Sequence, residues 1–217
     1  MIIRGVIFDL DGTIADTLPD IAAAVNFGLR SYDLPPRPVE EIKMMVGEGM
    51  PLLCQRALVG HPDIPLPEMI RKVSTHYGEH RLDQAAPFPG IPELLDGLTA
   101  RGIPFAVLTN KPHAHTVPMV QALFGRWMFA AVEGYQEESR RKPDPRTALD
   151  VVQRMQAEPQ QVMMVGDSKT DMQTAVNARL IGVGVTWGYR PREELLQAGA
   201  TYLIEQPPDL LTLLTAG

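Results

Sequence analysis

Residues 8–17 read FDLDGTIADT. The apolar run that leads into them, IIRGVIF at 2–8, has the composition of a buried strand, and it ends abruptly in two aspartates, a glycine and a threonine. Burying an unpaired charge costs several kcal/mol, so two carboxylates set one residue apart at a strand end need a reason. Asp and Gly also favour turns and helix caps, and taken alone the stretch is open between a turn and a site that uses its charge.

The 217-residue chain is 45% hydrophobic and 21% charged, enough to bury a proper core as one large domain or as a domain carrying an insert. A net charge of −6 argues against a sequence-independent grip on nucleic acid or on an anionic membrane. The single cysteine, Cys54 in PLLCQRAL, rules out an internal disulfide framework and reads as a small buried helix residue. The apolar run before Asp9 is too short for a secretory leader, and no stretch approaches the roughly 18 apolar residues that span a bilayer. A cytoplasmic location is the expectation, with no membrane and no nucleic acid among the partners.

From residue 17 to about 82 the apolar residues fall at helical intervals. Thr17 is a plausible N-cap with Pro19 in the first turn; RPVEEIKMMVG, MPLLCQRALV and LPEMIRKVSTHYGEHRL follow in the same register. After AAPFPGIPELL the pattern changes to alternation. Strands are predicted at PFAVLT, FAAVE, VMMVGD, IGVGVT and TYLI, separated by amphipathic helices, with the helix after PFAVLT starting near Thr116. Short, nearly continuous apolar strands alternating with helices imply an α/β fold, a Rossmann-like parallel sheet covered on both faces. The helical stretch is then an insertion: a core of 1–16 and 84–217, and a small α-helical domain over 17–83.

In open parallel sheets ligands bind beyond the carboxyl ends of the strands. Three predicted strands end in polar chemistry: Asp9 and Asp11 after VIF, Thr109, Asn110 and Lys111 after FAVL, and GDSKTD at 166–171 after VMMV. A fourth element, RRKPDP, sets Lys142 just before a helix. Each has an ordinary reading as a turn, a cap or a solvated charge, with Asp167 or Ser168 capping the last helix. Their conjunction has a chemical logic. Gathered carboxylates repel unless a divalent cation neutralises them, and one or two anchoring carboxylates suit Mg²⁺, which keeps its waters and takes a substrate phosphate. Asp9 and Asp167 supply that pair, and Lys142, Thr109 and Asn110 supply charge and donors to phosphoryl oxygens.

With DLDGT at 9–13, Thr109 and Asn110, Lys142 in KPDP, and GDSKTD in this order, the chain resembles the haloacid dehalogenase superfamily over its core, with that superfamily's mobile cap in the place of the helical insert. The resemblance implies a two-step phosphoryl transfer to a small phosphorylated metabolite. Asp9 would be the nucleophile and form an aspartyl-phosphate, and Asp11 would protonate the leaving oxygen and then activate water. Mg²⁺ would be held by Asp9, the Asp11 carbonyl and Asp167, with Ser168 and Asp171 behind them and Asp171 positioning Lys142 or a metal-bound water. Gly12 and Thr13 would let the backbone approach the phosphate.

Within the superfamily, the dehalogenases carry an aromatic residue where Asp11 stands, and the hexose phosphate mutases a His where this chain has Ile21. Hydrolysis is therefore expected over mutase activity or phosphotransfer, and every filled catalytic position argues against a non-catalytic binding protein. Among the phosphatases the resemblance is to the bacterial phosphoglycolate phosphatases, carried by MVGEGMPLLCQRAL and FPGIPELLDGLTARGIPFAVLTNKP as well as by the motifs. In this cap type the VGEGM loop closes over the active site. Glu48 there is an odd choice before an anionic substrate; Arg56 would offset it by binding a carboxylate, or is a surface charge. His76 and His80, four apart on a predicted helix, read as a solvated face before a metal pair. A monomer or a homodimer fits equally.

Overall fold

The structure is a computed structural model and describes residues 2–214. Along the chain come β1 (Gly5–Phe8), β2 (Ala15–Asp16), α1 (Leu18–Arg30), α2 (Val39–Lys43), α3 (Met50–Ala57), α4 (Leu66–His80), β3 (Ala86–Pro87), α5 (Ile91–Ala100), β4 (Phe105–Pro112), α6 (His113–Phe124), β5 (Ala131–Tyr135), α7 (Arg146–Arg154), β6 (Val162–Gly166), α8 (Lys169–Ala178), β7 (Ile181–Val185), α9 (Arg192–Gln197), β8 (Tyr202–Ile204) and α10 (Asp209–Leu213). They divide into two compact units, Asp16–Ala86 and the pair of segments that flank it.

The flanking segments form the α/β unit. Its six strands run in the order β5-β4-β1-β6-β7-β8, and every neighbouring pair is parallel. All four residues of β1 are buried, as expected of a central strand paired on both sides. Alternate residues serve opposite faces: Ile7, Ala106 and Met164 cluster with Ala148, Val151 and Val152 of α7 and Ala175 of α8. Crossover connections between parallel strands leave the strands' carboxyl ends on one edge, which is what gathers the polar motifs.

Two boundaries beside the polar motifs differ from those predicted. β4 does not stop at Thr109 but runs on through Asn110 and Lys111 to Pro112, with an irregular register against β5 over its last residues. α6 begins at His113, three residues before Thr116, with Pro112 at its N-cap. Thr116 instead turns its hydroxyl back to the carbonyls of Lys111 and Pro112, and this joins the strand end directly to the first helical turn.

The helical unit packs α1 against α4 around Ile21, Val25, Leu29, Met69, Val73 and Tyr77, all buried. Thr17 takes the N-cap position of α1 and the Asp16 carboxylate accepts the Leu18 N–H. Asp20, buried in the first turn of α1, accepts the backbone N–H of Gln84 at 3.1 Å and of Ala85 at 3.0 Å, which fastens the segment leading back to the sheet. Cys54 is fully buried in α3, and burial pushes its thiol up to about 12. The His76 and His80 rings lie 4.4 Å apart at a 32° tilt, with Asp83 on His80. Among the described residues no helix is long and apolar enough to cross a membrane.

Candidate active site

The site lies on the carboxyl edge of β4, β1 and β6. Asp9 follows β1 directly and its N–H donates to Val165 O of β6. The chain then folds back at once: Leu10 O accepts the N–H groups of Thr13, Ile14 and Ala15. This tight loop needs Gly12 at φ +81°, and a Cβ there would sit 2.5 Å from Asp167 Oδ2.

Lys142 is the centre of the charge arrangement. Its ammonium, buried, lies 2.8 Å from Asp9 Oδ1 and 2.6 Å from Asp171 Oδ1. Asp171 spends its other oxygen on the N–H and hydroxyl of Ser168, the capping box that starts α8. One carboxylate thus both begins a helix and aims a lysine. The Lys142 main chain is fixed from the other side by Asn110, whose amide donates to Lys142 O at 3.0 Å and accepts from Lys142 N at 2.9 Å. Asn110 was expected to face phosphate; here it ties the end of β4 to the lysine loop. Thr109 is buried and its hydroxyl accepts the Lys111 N–H.

Asp167 receives a hydrogen bond on each oxygen, from the Thr13 hydroxyl at 3.2 Å and from the Tyr189 N–H at 2.8 Å. Trp187 of the same loop donates its indole N–H to Thr13 O at 2.9 Å. Gly188 completes the clasp, because a Cβ there would collide with the Asp167 side chain and come 2.6 Å from Gly12 O. Sequence reasoning missed this loop, although TWGYR follows a predicted strand. It also left Lys111 without a role. Lys111 is buried and its ammonium lies 2.9 Å from Asp11 Oδ1. The sequence carried no clear signal for it, because the strand was expected to end at Thr109 and not to run on through Lys111.

Among the described residues, the one group of three acidic, His or Cys side chains able to meet at a metal is Asp9, Asp167 and Asp171, all buried, with ligand atoms within 4.8 Å of one another. The cluster sets three carboxylates against the one Lys142 ammonium; fully ionised it carries an excess of two negative charges, which a divalent cation would cancel. The titrations carry the same strain. Burial, then Asp171, pushes Asp9 up to about 6 against the pull of Lys142, and burial, Asp171 and Asp9 push Asp167 up to about 8. Burial works against the Lys142 charge, but Asp171 and Asp9 outweigh it and hold the ammonium well above its usual range. Asp171 is already committed to Lys142 and Ser168, which leaves Asp9 and Asp167 as the residues that fit a hard cation.

In the helical unit, Gly47 and Gly49 flank Glu48 with positive φ. Glu48 is paired at 2.5 Å with Arg56, whose guanidinium also donates to Met45 O. Arg56, expected either to bind a substrate carboxylate or to be a surface charge, is instead paired with Glu48 itself.

A parallel sheet with a carboxylate cluster and a paired lysine on its carboxyl edge defines a hydrolase of the haloacid dehalogenase-like family; the profile of that family matches residues 6–185, and the chain belongs to it. Within the family it is a phosphatase, a phosphoric monoester hydrolase similar to phosphoglycolate phosphatases. The phosphoglycolate phosphatase of Escherichia coli strain K12 is 35% identical, over 98% of this chain and 92% of that protein. That of Salmonella typhimurium strain LT2 is 33% identical over the same shares. A crystal structure described as a predicted phosphoglycolate phosphatase from Haemophilus somnus 129PT superposes with a TM-score of 0.89 at 28% identity, covering 97% of both chains. CbbY from Rhodobacter sphaeroides, solved in complex with phosphate, shares the fold at a TM-score of 0.78 and 22% identity over 96% of both chains.

Proposed function

We propose that the chain is a Mg²⁺-dependent phosphatase that hydrolyses a small phosphate monoester of the phosphoglycolate type through a phosphorylated aspartate. The observation that carries this reading is the buried Lys142 ammonium shared between Asp9 and Asp171, with Asp167 beside them at the carboxyl ends of the adjacent strands β1 and β6. Asp9 attacks phosphorus while the ester oxygen leaves with a proton from Asp11; water then attacks the aspartyl-phosphate, gives its proton back to Asp11, and frees phosphate and Asp9. Lys142 holds the phosphoryl oxygens and keeps the nucleophile aimed. Mg²⁺, held by Asp9, Asp167 and the Asp11 carbonyl, would neutralise the repulsion between the nucleophile and its dianionic target. The helical unit Asp16–Ala86 serves as the family's cap, with Glu48 in its glycine-flanked loop and Arg56 on α3 as its candidate selective residues.

The test is phosphate release from p-nitrophenyl phosphate and from phosphoglycolate by the purified protein with Mg²⁺. Asp9→Asn is expected to lower turnover by about 10⁴-fold or more, as loss of a nucleophile does elsewhere. Robust turnover by that variant, once contaminating phosphatase is excluded, removes Asp9 as the nucleophile.

A further inference from the structure

We infer that Lys111 is a specificity-determining residue, whose ammonium receives a second anionic group carried by the leaving alcohol of the substrate. The inference rests on the reading of Asp9 as nucleophile and Asp11 as proton donor. In an in-line displacement the leaving oxygen lies across phosphorus from the nucleophile, next to the group that protonates it. Lys111 Nζ sits 2.9 Å from Asp11 Oδ1, which puts a buried positive charge on the leaving-group side of the reaction, opposite in role to Lys142 on the nucleophile's side.

The ammonium is held there by the backbone. Thr116 takes the Lys111 carbonyl, the Lys111 N–H goes to Thr109, and the residue is 6% exposed. An ammonium has three donors, so a bond to Asp11 is compatible with a bond to a substrate carboxylate. A carboxylate attached to the carbon bearing the ester oxygen is within reach of a group beside that oxygen; a longer or uncharged alcohol does not meet it in the same way. The guanidinium of Arg56, the other candidate for a carboxylate, is engaged by Glu48 and Met45 O. Small phosphorylated 2- or 3-carbon acids are thus the substrate class the site selects.

The experiment compares phosphoglycolate with ethyl phosphate, which has nearly the same size and no carboxylate, in the wild-type protein and in Lys111→Met, Lys111→Gln and Lys111→Arg. Loss of one charge-assisted contact is worth about 10- to 100-fold. In Lys111→Met and Lys111→Gln the ratio of kcat/KM for phosphoglycolate over ethyl phosphate is expected to fall by that factor, chiefly through KM, and Lys111→Arg to restore most of it. Equal losses on both substrates overturn the inference, since a residue that only supports Asp11 or the fold cannot tell them apart. If Lys111→Met and Lys111→Gln both fail to fold, the folded Lys111→Arg decides through the two KM values: a KM changed for phosphoglycolate and not for ethyl phosphate supports the inference, and equal changes on both overturn it. A wild-type protein that hydrolyses ethyl phosphate and leaves phosphoglycolate untouched overturns the phosphoglycolate-type substrate instead, whatever the variants do.

Discussion

Asp167 is the residue at which charge, proton and cation compete most directly. Its folded pKa, pushed up to about 8 from an ordinary 3.8, means that the folded metal-free chain binds a proton that the unfolded chain releases. Stability from this source is fully present below about pH 4 and is lost as pH rises towards 8; Asp9, pushed up to about 6, adds a smaller loss in the lower part of that range. In the presence of a chelator, the urea midpoint should therefore drop between pH 6 and pH 8. Mg²⁺ bound by Asp9 and Asp167, as proposed, would have to displace those protons, so the rise in midpoint on adding Mg²⁺ is then expected to be larger at pH 8 than at pH 6. A Mg²⁺ effect independent of pH would count against Asp9 and Asp167 as its ligands.

At the scale of elements, the start of α8 joins the fold to the chemistry. Ser168 caps the helix, and its partner in the cap, Asp171, is also the counter-ion of Lys142. Ser168→Ala is expected to cost about 1 kcal/mol of stability, the usual loss for a missing N-cap. It should lower kcat as well, because Asp171 loses the hydroxyl that fixes one of its oxygens; chemical denaturation and steady-state kinetics read the two effects separately. The helix cap and the four motifs at strand or helix ends were legible because they are local: SKTD announces a capped helix start, and apolar strands announce themselves by composition. The clasp on Asp167 was not, since Trp187 bonds a carbonyl at Thr13 that only the order of β1, β6 and β7 in the sheet brings near. Nor was the extension of β4, where a run of Thr, Asn, Lys and Pro hides the alternation that assigns Asn110 to the lysine loop and Lys111 to Asp11.

Over the whole molecule, a helical unit spliced into an α/β unit makes the two connecting segments matter more than their length suggests. Asp20 gathers the backbone amides of Gln84 and Ala85 within the helical unit. In Asp20→Ala these amides should exchange with solvent faster, and turnover should fall, while exchange in the strands of the α/β unit stays unchanged. Faster exchange throughout would point to a general folding defect. The buried Cys54 has a practical use in the same connection. A thiol that is both inaccessible and held up near 12 does not compete for alkylating probes at neutral pH. Spectroscopic labels can then be attached through new cysteines at exposed positions such as Val59 and Val176, one on each unit, with the native cysteine left in place. The chain thus comes with its own silent background for label experiments on the helical unit's proposed role as a cap.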